Sequence, residues 1–264
     1  VDDGQHVFDR NAVRRHRDRA APLVARVRPI LQEAAERLID RLDDTTKQFT
    51  RALDIGGRGV VAPLLRARGI EVVTCDLSLR MARLEADAAV VADEEFLPFG
   101  RDSFDLVVAS LSLHWVNDLP GALIQLRRAM RADGLLLASL PALGTLDTLR
   151  TALTEAEATL TGGASPRVSP FMELRDGAAL LQRAGFALPV ADGDTLELAY
   201  SDPLALLQDL RAGGETNAVA LRDRAPVPHA LFPMALAAMQ GDSERVPVTL
   251  RLAMLTGWAP SPNP

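Results

Sequence analysis

The stretch Leu53-Asp54-Ile55-Gly56-Gly57-Arg58-Gly59, followed by Val72-Val73-Thr74-Cys75-Asp76, decides the fold class of this chain. An apolar, partly β-branched run stops at an acidic residue, breaks into glycines and resumes as an apolar helix, which is how a nucleotide-type βαβ unit opens. The glycines let the backbone approach a ligand. Asp76 falls at the tip of the next strand, where a carboxylate can accept from both hydroxyls of a ribose. Gly-rich turns are common, so the loop alone decides little. Five pieces in order carry the assignment: the loop, Asp76, Asp93 within Val91-Ala92-Asp93-Glu94-Glu95-Phe96-Leu97-Pro98-Phe99, the strand Phe104-Asp105-Leu106-Val107-Val108, and Arg131-Ala132-Asp133-Gly134 ahead of an apolar strand.

Working outward, the core from Arg51 to about residue 142 alternates short apolar strands, near 51–55, 71–76, 89–92, 104–110 and 134–140, with helices near 60–68, 78–86 and 119–131. That alternation implies an α/β fold with a parallel sheet and a ligand at the strand carboxyl ends, where Asp54, Asp76, Asp93 and Ser110 to His114 fall. Before it, residues 1–50 form a helical arm: Phe8, Val13, Ala20, Leu23, Val24, Val27, Ile30, Leu31 and Leu38 recur at helical spacing, with Pro22 and Pro29 breaking or kinking the run. Arg10, Arg14, Arg15, Arg17, Arg19, Arg26 and Arg28 make this arm basic. A solvated face is the plain reading of such a run, and contact with an acidic partner or substrate is the alternative. Residues 143–264 read as a helical cover, with helices near 145–160, 174–184, 203–211 and 228–240, and strands near 186–200 and 246–258.

The ordered core motifs resemble the class I S-adenosylmethionine (SAM)-dependent methyltransferases, in the branch called type 11. The resemblance implies a Rossmann-like, seven-stranded, mostly parallel sheet, completed by the last two strands as an antiparallel pair. Two further stretches, Ala92 to Phe99 and Ser110-Leu111-Ser112-Leu113-His114-Trp115-Val116-Asn117-Asp118-Leu119-Pro120, are similar to the mitochondrial complex I assembly factor 5 family and its bacterial relatives. Gly162 to Pro166, Ser169-Pro170-Phe171 and Gly214-Glu215-Thr216-Asn217 belong to the same similarity, which covers nearly the whole chain. A looser one, through the core and Val248 to Trp258, links the chain to the malonyl-carrier methyl ester synthases.

These resemblances imply SAM as cofactor and name its contacts as Asp54, Gly56, Gly57, Gly59, Asp76, Leu77, Asp93, Glu94 and Ser110. Asp54 would orient the loop and the ligand amino group, Asp76 would accept the ribose, and Asp93 the adenine amino group. The family loop is usually Gly-X-Gly; here Gly-Gly-Arg-Gly is one residue shorter. Trp115, Arg150, Ser169 and Glu215 are candidates for the acceptor side. His114 is the one ionisable ring expected near the transferred methyl, as a general base or as a packing and hydrogen-bonding residue. Phe96, Leu97 and Phe99 are expected to pack in the core. The implied acceptor is a protein or carrier-bound group, with a respiratory complex subunit one candidate. The mitochondrial family member is understood to hydroxylate an arginine, so the same fold leaves an arginine hydroxylase, or a non-catalytic assembly chaperone, as alternatives.

At 264 residues, 48% apolar and 24% charged, the chain can bury a sizeable interior. A formal charge of −6 argues against nucleic acid as main partner. No apolar run approaches the ~18 residues that span a bilayer, so an integral membrane protein is not expected and a cytoplasmic location is. The single Cys75 rules out an internal disulfide. Val1 to Gly4 read as a processing remnant. His6, His16, His114 and His229 form no zinc spacing, and no metal is expected.

Overall fold

A computed structural model describes residues 6–261, so Val1 to Gly4 lie outside the described residues. Asp9 accepts from the Ala12 amide and caps α1 (Arg10–Ala20). Pro22 then opens a 3₁₀ turn over Ala21–Arg26, and Pro29 sits in the first turn of α2 (Arg28–Ile39), where its missing N–H costs nothing. The prolines break the arm as the sequence suggests.

The core follows as β1 (Arg51–Ile55), α3 (Val61–Ala67), β2 (Glu71–Asp76), α4 (Leu79–Ala82), β3 (Ala88–Val91), β4 (Phe104–Ser110), α5 (Leu119–Ala129) and β5 (Met130–Pro141). After it come α6 (Asp147–Thr161), α7 (Leu174–Arg183), β6 (Ala187–Tyr200), α8 (Pro203–Gly213), α9 (Leu231–Gln240) and β7 (Val246–Trp258). The seven strands form one sheet in the order β3-β2-β1-β4-β5-β7-β6, parallel from β3 to β5. β7 runs antiparallel to both β5 and β6. The last two strands are therefore antiparallel to each other, while β6 points the same way as the core strands. β2 and β4 flank β1 on opposite sides, so the winding of the chain reverses there and opens a crevice outside the strand carboxyl ends.

β1 is buried on both faces. Leu53 and Ile55 join Leu123 and Leu126 of α5 in one apolar layer. Ala52 joins Leu38 of α2 and Val61 and Leu65 of α3 in the other. Burying each such Leu or Ile side chain stabilises by roughly 1.5–3 kcal/mol, which fixes β1 and thus the position of Asp54 at its end. A third cluster lies under the cover, where Leu149 and Leu153 of α6, Leu206 of α8 and Leu231 of α9 pack on Val248 of β7.

Three expectations need correction. The helix expected at 78–86 is a single turn, because Glu85 takes a left-handed φ of 51° and Leu84 is held against Gly59. The strand expected from 134 begins at Met130, which pairs with Phe104 ahead of a bulge. Phe96 is 77% exposed rather than packed: its amide donates to the Asp93 carbonyl in a tight turn. Leu97 and Phe99 do pack on the core, and Phe99 meets Phe104 edge-on at 5.2 Å. Among the described residues no helix is long and apolar enough to cross a membrane.

Candidate functional site

The carboxyl edge of the sheet gathers four acids. Asp54 ends β1, Asp76 ends β2, and Asp93 and Glu94 follow β3. The turn after Asp54 uses left-handed backbone at Gly56 (φ 64°), Arg58 (φ 49°) and Gly59 (φ 74°). A Cβ on Gly56 would stand 2.6 Å from that of Ser112, and one on Gly57 would fall 2.2 Å from Asp54 Oδ1, so neither position admits a side chain without rearrangement. The Gly56 amide donates to the Cys75 carbonyl at 2.8 Å and ties the turn to β2.

Two arginines of α1 reach into this edge. Arg10 donates to both oxygens of Asp93, to Glu94 and, at 2.9 Å, to the Trp115 carbonyl. Arg17 donates through Nη1 to Asp76 Oδ2 at 3.2 Å and Glu94 Oε1 at 3.0 Å, and through Nη2 to the Ser112 carbonyl at 3.3 Å. The expectation of a solvated basic face is therefore wrong for these two: Arg17 is 1% exposed. Burial alone would lower the pKa of Arg17, but Asp76 and Glu94 outweigh it and raise the value. Burial likewise works to raise Glu94, and Arg17 and Arg10 hold it below its ordinary value. Asp76 stays raised, since burial exceeds the pull of Arg17. Asp54 is pushed up to about 7, first by burial and then by the charge of Asp76, with the amides of Gly57 and Ala62 acting against the rise.

Asp76 is not left free. Its Oδ1 accepts from the Ser78 amide at 2.7 Å while Oδ2 faces Arg17. Leu77 packs partly buried beside Trp115 and Phe8, Ser110 is buried at the end of β4, and the Asp93 side chain is bound to Arg10. Cys75 is buried between these strands, and burial pushes its thiol up, which makes it inert. Four buried polar atoms around the glycine turn have no partner: Asp54 Oδ1, Arg58 Nε, Ser112 Oγ and Arg17 Nε. Buried polar groups are otherwise nearly always bonded, so four in one place is an unusual concentration.

A second centre stands beside the first. Gly214, at φ 82°, ends α8 and turns the chain so that the Glu215 amide donates to the Leu210 carbonyl at 2.8 Å. Glu215 Oε2 then accepts from His114 Nε2 and Trp115 Nε1, both at 2.8 Å, and Oε1 accepts from Arg58. Arg58 Nη2 also donates to the Leu111 carbonyl at 2.9 Å. Burial would raise Glu215, yet His114 and Arg58 hold it down to about 2. An ionised carboxylate only accepts, so His114 carries a hydrogen on Nε2 whether charged or neutral, and in the neutral form Nδ1 keeps a lone pair. That Nδ1 is buried and has no protein partner.

His114, Trp115 and Glu215 face a cavity of about 540 Å³ roofed by α6, α8 and α9. Leu153, Phe171, Leu207, Phe232 and Leu250 line it, so its wall is largely apolar, and Ser169 and Arg58 supply polar points. Arg150 is not among the lining residues. It donates to the Val168 and Ser169 carbonyls at 3.1 and 2.8 Å and lies over the Phe171 ring, supporting that wall from behind.

The structure brings the candidates Asp54, Asp76, Asp93, Glu94 and the loop together at one edge, and the candidates His114, Trp115, Ser169 and Glu215 together at one cavity. Sequence reasoning missed Arg10, Arg17 and Arg58. A signal existed for the first two: Arg10, Val13, Arg17 and Ala20 recur at i, i+3, i+7 and i+10, so the arginines share the arm's buried stripe. Among the described residues no group of His, Cys, Asp and Glu is arranged to hold a metal ion.

Compared with known proteins, residues 26–189 match the family model described as a methyltransferase domain. The chain is 34% identical to the arginine-hydroxylase NDUFAF5, mitochondrial, of Danio rerio, over 97% of this chain and 84% of that protein. It is also 34% identical to the malonyl-[acyl-carrier protein] O-methyltransferase of Laribacter hongkongensis, over 97% and 91% respectively. Among solved structures, the phosphoethanolamine N-methyltransferase 2 of Haemonchus contortus, in complex with phosphomonomethylethanolamine and S-adenosylhomocysteine, superposes with a TM-score of 0.59 at 16% identity, covering 94% of this chain and 60% of that one. That likeness carries the fold.

Proposed function

This chain belongs to the methyltransferase-domain family, and we propose that it binds SAM at the acidic edge and methylates a protein or carrier-bound acceptor seated in the apolar cavity. The observation that carries this is the adjacency of the two centres: the Ser110 to Trp115 segment has Ser112 against the glycine turn and His114 and Trp115 on the cavity wall. In this reading residues 1–50 close the donor side, 51–142 hold the cofactor and 143–264 choose the acceptor.

The unpartnered polar atoms suit the cofactor. Asp54 Oδ1 is an acceptor beside the glycine turn and fits an ammonium group, and Ser112 Oγ can donate or accept there. Asp76 and Asp93 serve the ribose and the adenine amino group once α1 yields part of its hold, with Gly56, Gly57, Gly59, Leu77, Glu94 and Ser110 completing the wall. When bound, SAM supplies a methyl group on a sulfonium, open to in-line displacement. The protein's share is positioning, which can account for most of the acceleration in such a reaction. Glu215 fixes the His114 ring, and Nδ1 accepts the proton of an acceptor O–H or N–H, a contribution of typically 10²–10⁴. Arg150 and Ser169 shape the cavity wall. The printed names of the relatives, one acting on a carrier protein and one an arginine hydroxylase, support an acceptor presented on a protein.

The test is mass spectrometry of acceptors incubated with the protein and methyl-labelled SAM. Appearance of the label on the acceptor, with S-adenosylhomocysteine released, is expected. Oxygen-dependent addition of an oxygen atom to an arginine, without label, would replace this reading with the hydroxylase.

A further inference from the structure

Arg17 is paired in a way that leaves it work to do. Burying a guanidinium is costly unless its donors are satisfied, yet Nε of this almost fully buried side chain has no partner. Its link to Asp76 is a single contact of 3.2 Å, at the long end of the hydrogen-bond range, rather than a bidentate fork. Glu94 does not depend on Arg17 alone, because Arg10 donates to its other oxygen. The guanidinium lies against the glycine turn, with Nη1 3.6 Å from where a Gly56 Cβ would stand.

The proposed cofactor ends in an amino acid that carries a carboxylate as well as an ammonium group. A carboxylate entering an edge occupied by Asp54, Asp76 and Glu94 would meet like charge on every side unless a cation attends it. Two buried guanidiniums adjoin the glycine turn. Arg58 is committed to Glu215 and the Leu111 carbonyl. Each has an unpartnered Nε, but only Arg17 is tied, by one long bond, to Asp76, the carboxylate that the cofactor itself would need.

Resting on the SAM reading above, we infer that Arg17 is the ligand for the carboxylate of the cofactor's amino-acid end, and that it gives up Asp76 when it takes that carboxylate. A single side-chain movement then does two things. It frees Asp76 Oδ2 for a ribose hydroxyl, and it keeps the guanidinium paired by replacing one carboxylate partner with another, while Asp76 exchanges an ion pair for hydroxyl donors. Asp54 Oδ1, on the same turn, meets the ammonium. The donor site is thereby split between the sheet, which holds nucleoside and ammonium, and the arm, which holds the carboxylate.

Calorimetry with two ligands tests this: S-adenosylhomocysteine, and its decarboxylated analogue, which keeps the nucleoside, the sulfur and the amine. The wild-type protein should bind S-adenosylhomocysteine about tenfold or more tighter than the analogue. Arg17→Met should weaken S-adenosylhomocysteine by roughly ten- to a hundredfold, leave the analogue within about threefold, and so erase the preference; Arg17→Lys should restore part of it. If Arg17→Met does not fold, the wild-type preference and the Arg17→Lys protein decide the matter. Equal wild-type affinity for the two ligands overturns the assignment. So does an Arg17→Met protein that binds S-adenosylhomocysteine as tightly as wild type or tighter, since the guanidinium would then only block Asp76. A wild-type protein that binds neither ligand nor adenosine overturns the SAM reading itself, and the assignment with it.

Discussion

The two sides of the crevice solve opposite problems. On the side proposed for the donor, Asp54, Asp76, Asp93 and Glu94 crowd one sheet edge, and Arg10 and Arg17 of the N-terminal helix are drawn in to offset them. On the side proposed for the acceptor, leucines and phenylalanines from four helices and two strands leave a largely apolar cavity of about 540 Å³, with His114 and Glu215 among its polar points. Charge organises one side and apolar packing the other. A donor site that must hold a zwitterion and a ribose needs fixed charges in low dielectric, whereas a cavity for an acceptor needs shape and a dry wall. Glu215 joins the two, since it holds His114 and Trp115 at the cavity and Arg58 in the glycine turn.

The sharpest way to break this comparison is to remove the joint. Glu215→Gln should lower acceptor turnover by about 10²–10⁴-fold, because the His114 ring loses the partner that fixes its tautomer. S-adenosylhomocysteine affinity should stay within about threefold. Steady-state kinetics with calorimetry separates the effects, and an equal loss in both would place Glu215 in the donor site.

The next largest effect concerns charge on the donor side. Asp54 in the folded protein is raised to about 7 from an ordinary value of 3.8, so its neutral form is favoured. The sign follows: the folded state is not penalised below the unfolded pKa, and stability is lost as pH rises through about 7. The shift corresponds to at most ~4 kcal/mol. Urea unfolding of the ligand-free protein between pH 5 and 8 should therefore show wild type losing ground to Asp54→Asn as pH rises. Parallel curves would mean that Asp54 ionises freely. A loss that Asp54→Asn does not relieve would move the effect to Asp76.

Asp76→Asn should cost on the order of 1.5–3 kcal/mol in S-adenosylhomocysteine binding, roughly ten- to a hundredfold, by weakening the acceptor for two ribose hydroxyls. Unchanged affinity in a folded protein would remove the ribose assignment. The mildest effect belongs to the cavity. Leu207→Trp intrudes on its apolar wall and should raise the acceptor KM about tenfold, near 1.4 kcal/mol, with cofactor affinity unchanged within threefold. A cofactor loss of similar size would show that the cavity and the donor edge are one site.

Legibility in the sequence followed the same division. The acidic edge is legible because its aspartates stand at or just past the end of a strand whose apolar run announces them: Leu53-Asp54, Cys75-Asp76 and Ala92-Asp93 are local signals. The antiparallel closing pair comes with the resemblance, while β5 starts four residues ahead of the apolar run because Met130 pairs with Phe104 before a bulge in which Asp133 is left-handed at φ 58°. For Arg10 and Arg17 a solvated face is the plain reading and an acidic contact the alternative, since helical spacing alone cannot say which face meets a distant acid. Glu215 sits 101 residues from His114, and the cavity is assembled from segments scattered between Val27 and Leu250. Only tertiary packing brings these together, so the motifs could name Glu215 and Ser169 but not the chamber they face.

The central claim, that the donor acids serve a cofactor and are held by the arm until it arrives, is tested most directly by a crystal structure of the protein with S-adenosylhomocysteine. The account predicts the ribose hydroxyls on Asp76, the adenine amino group at Asp93, and Arg17 moved off Asp76. A structure with the Arg17–Asp76 and Arg10–Asp93 pairs intact and the ligand bound elsewhere, or not at all, would contradict it.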